Sequence, residues 1–579
     1  MKIMTKLWEP CELILTASGQ YANPYMEVDV WIDLKGPGFE KRVYGFWDGG
    51  STFKIRYTPT AVGEWSYISG SSVGDDGLCG ISGSFSATDW SEEEKAAVPS
   101  RRGILRPSEN GHGFVHPDGK SFFMIGDTWW ATPTYRFKWS DDDKQRPIDE
   151  CYFKDLVKYR EEQGYNTIAM LAAHPSWAND EFPPLVEIEP GIFARDAWQQ
   201  RGTESAKGMH NEGGRPFMFP GNIPGYEQLV PDLSRINPDY FRHMDKKVEY
   251  LHNRGFLSFI ETARRDISTV WKKYGGWPGT YTRYIQYLFA RYQTYFCLLS
   301  PIHFDWPACS IPSREYNEPI NLWLEKYGAP PFGTLLGTNA SPSTLVNFGG
   351  PDEAPWLTFH QTGNWREHDH HWYLTEIHYS KPAMPAIAGE PYYPGFPPSQ
   401  PPFADSHEAE LNCRSGLYGS FLSGALGGII YGVEGIWGAD IEAEAPRTIW
   451  QAITLLSGKQ APYLREFALS EGDRFFELEP NSELITPNKA GEAMGYLGWA
   501  YCAANPERDY ALYYLEKDCP PATVRGLLPL TRYRLNWFNP ETGLWLEKSD
   551  LLETDGVGRA VLPNIPLEED IGIKLIKEE

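Results

Sequence analysis

Residues 121–128 read SFFMIGDT, an apolar run that closes on Gly126, Asp127 and Thr128 just before Trp129 and Trp130. Later stretches repeat the pattern: NTIAMLAA at 166–173, FLSFIET at 256–262, FCLLSPIHFD at 296–305, PAIAGE at 385–390 and GIIYGVEGIW at 428–437. Between them lie segments of helical character, FKDLVKYREEQG (153–164) and YFRHMDKKVEYLHNRG (240–255). Each ends in a glycine, the residue best suited to a helix C-cap. Buried strands alternating with helices over about 350 residues predict a parallel sheet, and that length favours a (β/α)8 TIM barrel. No G-x-G-x-x-G follows the first strand, which weakens the dinucleotide-binding alternative.

The flanks read differently. EVDVWIDLKG (27–36) alternates for a strand's length, and the turn signals KGPG, WDGG and GDDG recur around it. After Glu466 strands return in DYALYYLEK (509–517), YRLNWFNPETGLW (533–545) and IGIKLIK (571–577). The expected fold class is multidomain α/β plus β. It comprises an N-terminal β-sandwich (1–95), a catalytic (β/α)8 barrel (104–465) and a C-terminal β-sandwich (466–579).

Composition narrows the partners. The 579 residues carry 77 acidic and 53 basic side chains, a net charge of −24 that repels nucleic acid and anionic lipid. The 41% hydrophobic and 15% aromatic content excludes a disordered chain. The eight cysteines are scattered without a C-x-x-C pair, as reduced thiols would be. The uncharged stretch 415–433 is rich in glycine and has no companion, so it reads as a helix followed by a buried strand, not a membrane span. The first residues, MKIMTKLWEPCELIL, lack an apolar leader core. The expectation is a cytoplasmic protein, or a secreted one if a leader has been removed. No cofactor is expected, and oligomeric state is left open.

In a barrel the chemistry lies at the C-terminal strand ends. Those ends hold Asp127, His174, Glu261, His303, Asp305, His360, Glu390, Glu434 and Trp437, with Glu376 and His378 on a further run read as a strand, HHWYLTEIHYS. Asp305 and Glu390 stand out, because each directly follows an apolar run and precedes an aromatic and a proline. Glycosidic hydrolysis needs two carboxyls flanking the anomeric carbon, about 5–5.5 Å apart for retention and about 6.5–9.5 Å for inversion. Trp306, Tyr392 and Trp437 lie close by in sequence as platforms for a sugar ring. Asp127 competes for the acid role, although its GDT setting suits orientation of a substrate hydroxyl; Glu261, Glu376 and Glu434 are weaker rivals. His368, His370 and His371 lack a fixed metal-ligand spacing, and no metal is expected.

These residues resemble the apiosidase-like glycoside hydrolases. The likeness rests on FFMIGDTWW, EEQGYNTIAML, RYIQYLFARYQTY, TFHQTG, KPAMPAIAGEPYY and GALGGIIYGVEGIW. The N-terminal stretch is similar to the small sandwich that commonly precedes this barrel, and WFNPETG resembles an appended sandwich labelled collagen-binding. The resemblance implies a retaining, exo-acting glycosidase that cleaves a terminal sugar from a plant or microbial oligosaccharide or glycoside. Asp305 falls at its acid/base and Glu390 at its nucleophile. Asp127, Thr128, Trp129, His360 and Trp437 fall where substrate contacts lie. His303 and Trp306 depart from the usual neighbours of the acid, and Pro307 to Pro355 reads as a long insertion. The competing readings are a non-catalytic carbohydrate-binding barrel and a polysaccharide lyase.

Overall fold

The computed structural model describes residues 3–173, 185–190, 192–195, 210–225, 227, 230–264, 268–305, 311–363, 368, 370–397, 399–491 and 495–578. Its centre is a seven-stranded sheet. The strands are β1 (Met124–Thr128), β2 (Thr167–Ala173), β3 (Leu257–Ala263), β4 (Cys297–Ser300), β5 (His360–Gly363), β6 (Ala386–Glu390) and β7 (Gly428–Tyr431). They lie in the order β4-β3-β2-β1-β7-β6-β5, and every neighbouring pair is parallel. Every residue of these strands is buried, which is why they read as continuous apolar runs and not as alternating ones.

Alternation nevertheless splits each strand between two cores. Met124, Ala169, Leu171, Leu257, Phe259, Leu298, Ile387 and Ile430 share a small inner cluster. Ile125, Ile168, Met170, Ile260, Leu299, Ala388 and Ile429 face the much larger cluster shared with the helices. Leu298 on one edge strand and Phe359, just before the other, belong to the same inner cluster, so the sheet curls into a half-barrel. Between those edges lies the segment 336–340. Leu336 bridges Leu299 and Ala340 bridges Phe304, both in parallel sense. The amides of Thr358 and Phe359 donate to the Leu336 carbonyl.

Six helices concern the site and its seams: α1 (Phe153–Gln163), α2 (Pro238–Asn253), α3 (Gly279–Tyr292), α4 (Asn317–Tyr327), α5 (His370–Tyr379) and α6 (His407–Leu422). Gly164 ends α1 in the left-handed region at φ 102°, as its place after the apolar pattern predicts. α5 corrects the expectation of a strand over HHWYLTEIHYS. Its buried positions are His371, Leu374, Ile377 and His378, a helical spacing of three and four.

The N-terminal region holds a five-stranded and a three-stranded sheet around one apolar core that includes Ile32, Val43, Ile55 and Trp65. The C-terminal region holds a six-stranded and a three-stranded sheet with a core that includes Leu535, Trp537 and Ile573. Among the described residues no helix is long and apolar enough to cross a membrane, and seven cysteines are free thiols.

Candidate active site

Three strand ends and the segment in the gap converge on one set of carboxylates. β3 carries Leu257, Phe259 and Glu261 on its inner face, so Glu261 is fully buried at the rim of the inner core. One Glu261 oxygen accepts from the Asn339 backbone amide at 3.0 Å, and the other contacts Nδ1 of His303. His303 lies three residues past the end of β4 at Ser300, where its amide donates to the Ala263 carbonyl and locks the turn to β3. Its Nε2 faces Asp305 Oδ1 at 3.4 Å, and Arg264 Nη2 lies 3.4 Å from Asp305 Oδ2. The Trp130 indole packs edge-on against the His303 ring at 4.6 Å between centroids.

Glu390 reaches the same place from β6. A register shift between Thr362 and Gly363 pairs Gly363 with Glu390, a bulge that re-aims the end of the strand. Asn339 then donates its side-chain amide to Glu390 Oε1 at 2.9 Å. Asn339 thus ties two carboxylates together, Glu261 through its backbone and Glu390 through its side chain. Glu390 is 4% exposed and the Asp305 side chain 14%. One oxygen of each, together with a His303 nitrogen, fall within 4.8 Å of one another.

Charge dominates this cluster. Burial alone would strip His303 of its proton, but the charges of Glu261 and Asp305 outweigh it and push the imidazole up to about 10. Among the described residues, His303, Asp305 and Glu390 are the groups that could jointly hold a metal ion. A metal ion there would have to displace the proton that Glu261 and Asp305 favour on His303. What remains is two closely spaced carboxyls, one braced by an amide and the other by two cations.

Residues 108–473 match the apiosidase-like catalytic domain, well over half of the chain. The chain belongs to the apiosidase-like family. It is accordingly a glycosidase. Residues 4–72 match DUF5060, a domain of unknown function. Among solved structures, a candidate glycoside hydrolase from Bacteroides vulgatus covers all of both chains at 16% identity, with a TM-score of 0.65. A family 5 glycoside hydrolase from the same organism covers 83% of this chain and 94% of its own at 17% identity and TM-score 0.57. A further glycoside hydrolase covers 83% and 98%, also at 17% identity, with a TM-score of 0.56. At such identities these likenesses speak to the fold. No curated protein matches the chain by sequence.

The apiosidase-like enzyme brings together Asp305, Glu390, Glu261 and His303 of the residues singled out in the sequence. Asp127 is a correction. Its carboxylate is fully buried on the helix side of β1, 2.6 Å from Arg160 Nε and 2.8 Å from Trp129 Nε1. Trp129 stacks on Phe137 in that same outer layer. His360 turns outward to Thr344 at 2.7 Å, and burial lowers its pKa to about 4. Tyr392 packs edge-on against Tyr496 of the C-terminal region. In each case the sequence neighbour takes the inner side. Trp130 meets His303, and Gln361 lies across Gly389. Tyr393 shares a 2.6 Å hydrogen bond with Thr128. Thr128 therefore faces inward, and Trp437 packs against the inner cluster. Glu434 is held by the Ser399 amide at 3.0 Å and lies 3.8 Å from Arg447. His174 and Trp306 lie outside the described residues.

Asn339 was not legible in the sequence. It sits in the stretch read as an insertion, in GTNASP, where no apolar run marks a strand end. The bridges of its segment to Leu299 of β4 and to Phe304 beyond it place it at the rim.

Proposed function

We propose that this enzyme is a retaining, exo-acting glycosidase that releases a terminal sugar from a plant or microbial oligosaccharide or glycoside. The supporting observation is the spacing of oxygens from Asp305 and Glu390, at most 4.8 Å. Retaining pairs stand about 5–5.5 Å apart, whereas inverting pairs need about 6.5–9.5 Å to admit a water. Action on a terminal sugar follows from the family likeness. The accompanying architecture is a closed (β/α)8 barrel, with the segment 336–340 as its remaining strand, over residues 104–465. β-sandwiches at 1–95 and 466–579 flank it.

Glu390 attacks the anomeric carbon while Asp305 gives its proton to the departing oxygen, so that one C–O bond forms as the other breaks. Water then adds to the same carbon, its proton returns to Asp305, and Glu390 leaves as carboxylate. Asn339 holds the Glu390 oxygen in line. Glu261 holds His303, and His303 orients Asp305. Trp130, Gln361, Tyr393 and Trp437 supply the walls in which a sugar ring sits.

The expected result with an activated aryl glycoside is a loss of at least about 100-fold in turnover for both Glu390→Gln and Asp305→Asn. Unchanged turnover in either variant removes that residue from the mechanism. Azide restores activity to the variant lacking the nucleophile, giving a glycosyl azide of inverted configuration. Cations beside a carboxylate favour its ionised form, and two flank Asp305. That supports a second reading, in which Asp305 attacks and Glu390 gives the proton. Azide rescue of Asp305→Gly in place of Glu390→Gly selects it. A product absorbing in the ultraviolet points instead to a lyase.

A further inference from the structure

A second cleft, of about 600 Å³, lies between α5 and the C-terminal sheet, and no residue of the carboxylate site lines it. Its chemistry differs from that of an ordinary seam. α5 turns Leu374 and Ile377 to the core, yet it presents Trp372 to the cleft with 69% of its surface exposed and Tyr379 with 53%. The two are seven residues apart, on one face of the helix and about 10.5 Å apart along its axis. The Tyr379 ring is not loose, because its hydroxyl donates to the Pro480 carbonyl at 3.0 Å. Across from these rings stand Asn481, Ser482 and Asn488, whose amides and hydroxyl both donate and accept. Of the charged groups of the lining, Glu483 pairs with Arg525 at 3.1 Å and Lys489 lies over the Trp499 ring.

We propose that this cleft is a second carbohydrate-binding site, which holds a neutral glycan chain with sugar faces on Trp372 and Tyr379. Exposed aromatic faces take the C–H faces of sugar rings, while amides and hydroxyls satisfy their hydroxyl groups. The seven-residue spacing suits alternate sugar units of a chain, not adjacent ones. With Lys489 and Glu483 as its charged lining, the cleft has no cationic cluster to recognise a polyuronate.

A run of ring contacts links the cleft to the loop that follows Glu390. The back wall of the cleft is Trp499, stacked on His368 at 3.9 Å; His368 meets Tyr496 at 5.3 Å, and Tyr496 meets Tyr392 at 5.4 Å. Tyr392 lies two residues past Glu390. A glycan held here keeps the enzyme on the polymer from which a chain end is processed. That role rests on the glycosidase reading above, whereas the binding itself does not need Asp305 or Glu390.

The test is native affinity electrophoresis in gels containing arabinoxylan, xyloglucan or mixed-linkage β-glucan, with polygalacturonate as the charged control. At least one neutral glycan retards the wild-type chain and Glu390→Gln alike. Trp372→Ala and Tyr379→Ala each weaken that retardation at least tenfold while leaving aryl-glycoside turnover unchanged. The proposal is overturned if none of the three neutral glycans retards the chain, if polygalacturonate alone does, or if Trp372→Ala migrates like the wild type. Full turnover by Glu390→Gln with intact, Trp372-dependent retardation sinks the catalytic assignment and leaves the cleft standing.

Discussion

His303 shows how far a buried environment moves one residue. Its ordinary pKa is about 6.5, and in the fold the charges of Glu261 and Asp305 overcome burial and raise it to about 10. A raised pKa means that protonation stabilises the folded state, fully below about pH 6.5 and progressively less as pH climbs through 10. The wild-type Tm is therefore expected to fall between pH 7 and 10 by more than that of His303→Gln, as followed by calorimetry at each pH. In Glu261→Gln the alkaline limb of kcat/KM moves to lower pH; an unmoved limb removes Glu261 from the positioning chain. Gln361 offers the opposite case. It is fully buried, and its amide has no hydrogen-bond partner among the described residues. Such a group costs stability unless a ligand satisfies it. Gln361→Leu is thus expected to raise Tm while lowering kcat/KM about tenfold or more. A fall in both places the side chain in the fold and not in the pocket.

At the level of elements, the strands were legible because burial on both faces writes an apolar run that local sequence alone displays. Which residue of a run faces inward was not. Trp129, His360 and Tyr392 were each one position from the inward residue, and a shift of one residue along a strand turns every side chain to the other face. The bulge at Gly363 and Glu390 adds an offset that no periodicity reveals. Close strand packing carries its own test. Gly428 on β7 has φ 120°, and a Cβ there would lie 2.2 Å from the Met124 carbonyl of β1. Gly428→Ala is expected to destabilise the chain by at least about 2 kcal/mol in urea unfolding. A cost below 1 kcal/mol refutes that account of the β1–β7 contact.

Across the whole molecule, charged seams join the three regions. Asp245 of α2 binds Arg56 of the N-terminal region at 2.6 Å and Arg291 of α3 at 2.7 Å, while Arg291 also reaches Asp48 at 3.1 Å. Arg291 and Arg56 hold the Asp245 carboxyl far below the usual range against the cost of burial, so its contribution is present above about pH 4 and is lost as pH falls. Removing one partner strands the others, and Asp245→Ala is expected to cost about 3 kcal/mol at pH 7 and much less near pH 2. On the far side, Arg414 of α6 holds Asp570 at 2.7 Å with both side chains buried, and Tyr514 donates to the same carboxylate. Seams of this kind predict one calorimetric transition for the full chain. Separate peaks for the flanking regions would show that the seams contribute little.

The sequence by itself determined most of the succession of strands and helices, with α5 the exception, the placing of Glu390 at a strand end and of Asp305 in the turn after one, and the family, because each is written in local periodicity or a short motif. The tertiary structure alone decided that Asn339 joins Glu261 and His303 at the site and how the three connect to the two acids. Their contacts span 42, 78 and 51 residues. Such contacts exist only once the sheet has curled enough to bring its two edges to either side of the segment 336–340.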